Sequence, residues 1–378
     1  MNQTCHILST YSADTFGVAS ALYELGGMTV IHDASGCNST YTTHDEPRWF
    51  DMDSMVYISG ISEIEAIMGD DNKLISDIVR EAKALDPRFI AVCGTPIPAM
   101  TGFDFESIAI AIENETGIPA FGFPTTGMDT YIPGASMALR AIAERFSSKD
   151  PVKSQIKTMN IIGATPLDFS TNGQIEAMVR FFTENGWNVN TSLAMNCKWE
   201  DIGNLGAGDV NLVISDAGMA AAKYLYEQFG TPYLARVPFG EQYAKSILSA
   251  LEDIRSGKSF ELPAYDRSEA DAFIIGEAVS AVSLSEALYM ETGKHFRVIC
   301  PTSDSEALRT SDLYAPYEED IEKALQGAKT VISDPIYRKI LSSDVSFISL
   351  PHEAYSGRIY RKDIPNLIGN ISHISEKL

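Results

Sequence analysis

The sequence predicts an α/β protein with parallel sheets, divided into three units. Three observations carry that expectation. Short apolar runs alternate with longer amphipathic stretches along the 378 residues. Most of the runs are rich in Val and Ile and end at Gly, Pro, Asp or Ser, as parallel strands buried on both faces do. Two polar stretches, FSSKDPVKSQIK at 146–157 and SFELPAYDRSEAD at 259–271, each precede a fresh apolar run. They set the units at 1–150, 151–262 and 263–378.

The expected strands are MTVIHD (28–33), RFIAVCG (88–94), MNIIGA (159–164), VNLVISD (210–216), PYLARV (232–237), AFIIGE (272–277), HFRVICP (295–301), KTVISD (329–334) and SFISLP (346–351). Between them the apolar spacing becomes helical over 71–85, 105–117, 171–186, 218–230 and 243–257. Several of these helices stop at Gly, a usual C-terminal cap. Strand–helix–strand alternation implies parallel sheets with crossover helices. The second and third units both open as strand–Gly–loop–helix, the layout of a Rossmann-like unit, and neither carries a GxGxxG fingerprint. SGKS at 256–259 resembles the end of a phosphate loop. It lacks the upstream Gly and closes a helix instead of opening one, so it reads as a C-cap.

Composition narrows the function classes. Lys and Arg number 29 against 51 Asp and Glu, a net charge of −22. Nucleic-acid phosphates and anionic membrane surfaces both call for a basic face, so neither is an expected partner. No apolar run reaches the roughly 18 residues of a membrane span. The N-terminal MNQTCHILST lacks the basic-then-apolar pattern of a signal peptide, and the expected compartment is the cytoplasm.

Five cysteines are too few and too dispersed for a disulfide framework. Cys5, Cys37 and Cys93 all fall in the first unit, without a CxxC. Cys37 lies in the Gly-containing loop after the first strand, Cys93 ends a strand before GTPIP, and Cys5 precedes a helix-like stretch. Strand carboxyl ends share one sheet edge, where ligands bind, so the three thiols would converge there. Thiolates in glycine-lined loops suit iron; three unrelated buried thiols is the alternative. Cys197 and Cys300 read as structural.

These residues resemble the nitrogenase component 1 family. The likeness runs from Cys5 to Gly26–Gly27 and through VIHDASGC, SEIEAIMGDDNKL, FIAVCGTPIPAMTGFD, ETGIPAFGF and YIPGASMALRAI. It continues through NIIGATP, VNLVISDAGMAAAKYLYEQFGTPYL, VPFG, AKTVISDPIYRKIL and LPHEAYSGRIY. The resemblance implies three Rossmann-like domains with parallel sheets around a central cavity, dimerising through the first domain. It implies that Cys5, Cys37 and Cys93 hold an iron–sulfur cluster at the subunit interface, either 4Fe–4S or a larger P-cluster-like one. The remaining ligands would come from a second subunit, identical or paralogous, or from a non-cysteine group. A separate ATP-hydrolysing iron–sulfur protein would deliver the electrons, since this chain has no phosphate loop.

Two family positions differ. The cysteine that holds the catalytic cofactor in nitrogenase corresponds to Ser215, and a His pair corresponds to Ala135–Ser136. Dinitrogen reduction is therefore not expected. His352, within HEAYSG, keeps the place of the family's cofactor histidine, so it is a candidate ligand for a second metallocluster or a neighbour of a bound tetrapyrrole. Arg358 and Arg361 are candidates to meet an anionic substrate, with a solvated or salt-bridged face the equal alternative. The expected function is a nitrogenase-like reductase subunit. A scaffold for metallocluster assembly and a non-catalytic metal- or tetrapyrrole-binding protein are the alternatives.

Overall fold

A computed structural model describes residues 12–36, 45–69, 71–259 and 267–378. Helix α1 (Asp14–Leu22) leads into a first sheet of β1 (Met28–Ile31), β2 (Met55–Ile58), β3 (Ile90–Cys93) and β4 (Ala120–Phe123). Its helices are α2 (Glu63–Met68), α3 (Asp71–Leu85), α4 (Pro96–Thr101), α5 (Phe105–Thr116) and α6 (Tyr131–Phe146). The second sheet holds β5 (Thr158–Ala164), β6 (Asn188–Ala194), β7 (Val210–Val213) and β8 (Tyr233–Ala235). Its helices are α7 (Pro166–Phe169), α8 (Gln174–Glu184), α9 (Trp199–Ile202), α10 (Met219–Phe229) and α11 (Glu241–Arg255). The third sheet holds β9 (Ala272–Ile275), β10 (Arg297–Cys300), β11 (Leu313–Tyr314), β12 (Thr330–Ser333) and β13 (Ser346–Ser349). With it come α12 (Ala278–Thr292), α13 (Glu318–Ala324), α14 (Glu353–Ser356) and α15 (Ser372–Ser375).

All three sheets are parallel, as the apolar runs predict. The strand orders are β2-β1-β3-β4, β6-β5-β7-β8 and β11-β10-β9-β12-β13. In each, the winding reverses once: between β1 and β3, between β5 and β7, and between β9 and β12. At such a switch point the two connecting loops leave in opposite directions and open a crevice beyond the strand carboxyl ends. The central strands are fully buried, with Ile90, Ala91 and Val92 in the first sheet and Ile161 and Ile162 in the second.

Helix α6 joins the units. It packs along α1 and also against α10 of the second unit. The approach to α1 is set by glycine: a Cβ on Gly134 would sit 1.8 Å from the Asp14 carbonyl oxygen. The phosphate-loop lookalike closes α11 as expected, with Ser256 at the C-cap and Gly257 at φ 68°. Four strands escape the sequence reading, among them the two-residue β11. β2 is a half-exposed edge, β4 is AFGF with a glycine inside, and β6 is NVNTSLA, mostly polar.

Candidate functional site

The first site builds up from the β1–β3 switch point. Ile31 and Cys93 are paired across the two strands, and the His32 N–H donates to the Cys93 carbonyl at 2.9 Å. Cys93 and the turn after β1 therefore share one edge. Cys37 follows described Gly36 directly; both Cys37 and Cys5 lie outside the described residues. The Cys93 side chain is fully buried, and its thiol faces the Val30 carbonyl at 3.7 Å. Burial pushes this thiol far up from its ordinary value, with the Asp14 carboxylate adding to the effect.

The surroundings hold the strand end rigid. Thr15 Oγ1 donates to the Gly94 carbonyl at 2.5 Å, and the Gly94 N–H donates to Thr125 Oγ1 at 2.8 Å. Asp14 receives the N–H groups of Thr126 and Gly127 at 2.8 and 2.7 Å. Across the switch point, Thr95 Oγ1 donates to Asp33 Oδ1 at 2.8 Å, and His32 Nδ1 pairs with Ser59 Oγ at 2.8 Å. A Cβ on Gly94 would meet the Thr125 carbonyl at 2.4 Å, so the loop passes here only because residue 94 has no side chain.

The segment returning from the loop is anchored as well. Arg48 reaches Glu46 at 2.6 Å, Glu24 at 3.0 Å and the Ser20 carbonyl at 2.7 Å, all buried against α1. Arg361 of the third unit donates to the Asp45 carbonyl at 3.0 Å.

The second site lies where the switch points of the second and third sheets meet α6. Asp168, just past β5, is buried. It accepts the Tyr131 hydroxyl from α6 and Thr165 Oγ1 at 2.8 Å. His352, just past β13, places Nε2 3.7 Å from Asp168 Oδ1. Three units thus converge on one carboxylate. Burial pushes Asp168 up to about 6, against the hydroxyls that donate to it. Burial also lowers His352 to about 4, so its ring is neutral near pH 7.

Glu277, just past β9, caps α12. Its Oε1 accepts the N–H groups of Asp216 and Val279 at 2.9 and 3.1 Å. Its Oε2 accepts Ser280 N–H and Oγ, both at 2.9 Å. Burial, with the Asp168 and Asp216 carboxylates nearby, pushes Glu277 upward, and the donated bonds oppose that. Asp168, Glu277 and His352 line a cavity of about 60 Å³ together with polar Gln174 and Ser280 and apolar Phe239, Ile274 and Leu284.

Other candidates from the sequence fall as follows. Ser215 donates its hydroxyl to the Gly163 carbonyl at 2.8 Å. Ala135 is buried in α6. Arg361 is committed to the buried Glu353 at 2.5 Å, and Arg358 is half exposed, 3.8 Å from Asp45. Arg361 is therefore an internal ion-pair partner, the salt-bridged one of its two expected roles. Cys197 and Cys300 are buried, each 3.4 Å from a threonine hydroxyl, as structural thiols would be. Asp168, Glu277 and Tyr131 do not stand out in the sequence. Asp168 and Glu277 do follow strand carboxyl ends, the one signal that would have picked them out.

A larger groove of about 270 Å³ lies between β2 and α3 in the first unit. Its charges pair locally, Lys73 with Glu65 at 3.0 Å and Arg80 with Asp77 at 2.6 Å. Among the described residues, no helix is long and apolar enough to cross a membrane.

A family model described as nitrogenase component 1 type oxidoreductase matches residues 15–299. The chain belongs to this family. It is 25% identical over 255 residues to the nitrogenase molybdenum–iron protein alpha chain of Methanothermobacter marburgensis, covering 62% of this chain and 52% of that protein. It is 29% identical over 111 residues to a light-independent protochlorophyllide reductase subunit of Nostoc punctiforme, covering 29% of this chain and 22% of that protein. The matches thus span about a fifth to a half of these relatives' lengths. A solved structure, "Nitrogenase Cp1 at pH 6.5", superposes with a TM-score of 0.68 over all of this chain and 93% of that one, at 17% identity. That likeness shows the fold: three parallel α/β units of nitrogenase component 1 type.

Proposed function

We propose that this family member is the electron-accepting, substrate-reducing subunit of a nitrogenase-like reductase. Cys5, Cys37 and Cys93 would hold an iron–sulfur cluster where two subunits meet, identical or paralogous. An ATP-dependent iron–sulfur reductase would supply low-potential electrons, and the substrate would bind in the cavity between the units. One observation carries this reading. Cys93 ends β3 at the first sheet's switch point, opposite the strand whose following loop bears Cys37.

The donor set fits such a cluster: a soft thiol at the end of a rigid strand, with a glycine on its loop side. When bound, an iron–sulfur cluster supplies one-electron chemistry at low potential. The chain's own part is to hold the ligands. The Thr15–Gly94–Thr125 bonds fix the Cys93 backbone. The buried Cys93 keeps its proton until a cation is there to displace it, because metal binding and thiol deprotonation are coupled. Arg48 and Arg361 secure the far end of the Cys37 loop.

The inter-domain cavity does not fit the second metallocluster or tetrapyrrole that the resemblance allowed. At about 60 Å³ it is well under the roughly 300 Å³ of a drug-sized ligand's site. The Ser215 hydroxyl is already used within its own sheet. A small substrate suits this space better. The test is electron paramagnetic resonance of the anaerobically reconstituted, dithionite-reduced full chain. The reading expects a cluster signal that Cys93→Ala abolishes; a signal equally strong in the variant would remove Cys93 from the site and overturn it.

A further inference from the structure

We infer that the outer edge of β2, with the groove beside it, is a docking site for an extended, basic segment of a partner protein, which adds a strand to the first sheet. The inference goes beyond the reductase reading and stands without it. It starts from how the sheets end. An uncovered edge strand offers its backbone N–H and C=O groups to any extended chain, and proteins ordinarily blunt it with charge, proline, a bulge or short length. The three sheets have six edge strands. β6 (NVNTSLA) and β13 (SFIS) carry polar side chains, and β8 and β11 have three and two residues. β4 is interrupted by Gly122, and its Ala120 N–H is taken by Glu113 Oε2 at 2.9 Å. β2 reads MVYI and carries no such device.

The phase of the β2 backbone is fixed by its neighbour. The Ser59 N–H donates to the Ile31 carbonyl at 3.0 Å, and the Ile61 N–H donates to the Asp33 carbonyl at 2.9 Å. Odd-numbered residues therefore face β1, and backbone groups alternate in direction along a strand. Val56 and Ile58 turn their N–H and C=O groups the other way, where no strand lies among the described residues. None of the four β2 side chains is fully buried, and Tyr57 is 42% exposed. The groove of about 270 Å³ runs beside this edge, between β2 and α3, with an apolar lining of Met28, Val30, Leu74, Ile78 and Phe103. A strand laid along β2 sends alternate side chains to that side, the geometry of strand addition with a pocket for specificity.

The charged lining selects the occupant. It has four acidic side chains, Glu65, Asp71, Asp77 and Glu81, against two basic ones, Lys73 and Arg80. Both cations are already engaged. Lys73 lies 3.0 Å from Glu65 and 3.6 Å from Asp77, and Arg80 lies 2.6 Å from Asp77 and 3.0 Å from Glu81. The excess is negative, as is the whole chain at −22. Like charge disfavours a second copy of this chain here, and Lys or Arg flanking an apolar strand complements the lining.

The probe is a fluorescein-labelled peptide, Lys-Lys-Val-Thr-Val-Thr-Val-Lys-Lys, titrated into the full chain by anisotropy. Saturable binding is expected, with amide exchange slowed over β2 by mass spectrometry. The counterpart with Glu for every Lys should bind about tenfold more weakly. Two versions N-methylated on alternate residues, in opposite phase, should differ: one loses binding and the other keeps it, since one backbone phase alone meets β2. Val56→Pro deletes one outward N–H, which an edge strand tolerates, and should weaken binding about tenfold with the thermal melt unmoved. If that variant fails to fold, the methylated pair on the parent chain still decides. No saturable binding, equal binding of the acidic peptide, equal binding of the two methylated peptides, or protection elsewhere than β2 would overturn the inference. So would slow exchange of β2 before any peptide is added, which means the edge is already covered. Self-association abolished by Val56→Pro would make a second copy the occupant and overturn it too. None of these readouts needs bound iron, so failure of the reductase reading leaves them intact.

Discussion

Asp168 and His352 sit in one buried contact and are perturbed in opposite directions. The Asp168 carboxyl is pushed up from 3.8 to about 6, and the His352 imidazole down from 6.5 to about 4. Between pH 4 and 6 the folded state therefore holds more protons on Asp168 than the unfolded chain does. Ionising that carboxyl costs stability as pH rises. For His352 the unfolded chain holds more protons over the same window, so stability rises with pH. The two slopes oppose each other. Asp168→Asn should remove one of them, and the variant's stability should climb relative to the parent between pH 4.5 and 6, by up to about 1.4 kcal/mol per pH unit. Urea unfolding at the two pH values measures this; parallel profiles would contradict it. At this scale the sequence reading reached Cys93 because it ends an apolar strand, and His352 through the family resemblance. It did not reach Asp168 or Tyr131, whose significance comes from contacts between distant parts of the chain.

At the scale of elements, the account depends on how β3 ends and how the Cys37 loop is tied down. Gly94→Ala drives a methyl against the Thr125 carbonyl at 2.4 Å. Such overpacking costs about 1–3 kcal/mol, and it is relieved by a shift of residue 94 with its neighbour Cys93 or of Thr125 and Phe105. The variant is expected to bind less iron than the parent even where it remains folded; full iron content would contradict the rigid-strand argument. Arg48→Ala leaves Glu46 buried without its partner, which in such pairs costs about 3–5 kcal/mol. Denaturant unfolding tests that, and a loss below about 1 kcal/mol would show that the anchor is dispensable. The central strands were legible because burial on both faces writes a continuous apolar run. β2, β4 and β6 were not. An edge strand needs little apolar surface, AFGF is broken by its glycine, and NVNTSLA is stabilised by a sheet neighbour that a local pattern does not show.

The whole molecule places three switch points around α6: one holds Cys93, and the other two present Asp168 and Glu277 to a common cavity. Parallel sheets could be read from periodicity. The meeting of the units could not, since it is set by tertiary contacts such as Tyr131 with Asp168 and Asp216 with Glu277. With Cys5, Cys37 and Cys93 as the proposed ligands, one chain leaves a four-cysteine site incomplete; on the reading that a second subunit completes it, the reconstituted protein should sediment at about twice the 41.3 kDa of one chain, alone or with a paralogue. Sedimentation as a monomer that retains a full cluster would contradict the shared site. The most direct test is anaerobic iron and acid-labile sulfide analysis of the full chain beside Cys37→Ala. The account predicts about four iron and four sulfide per subunit pair, both lost in the variant. Reproducible absence of iron after anaerobic reconstitution would contradict it.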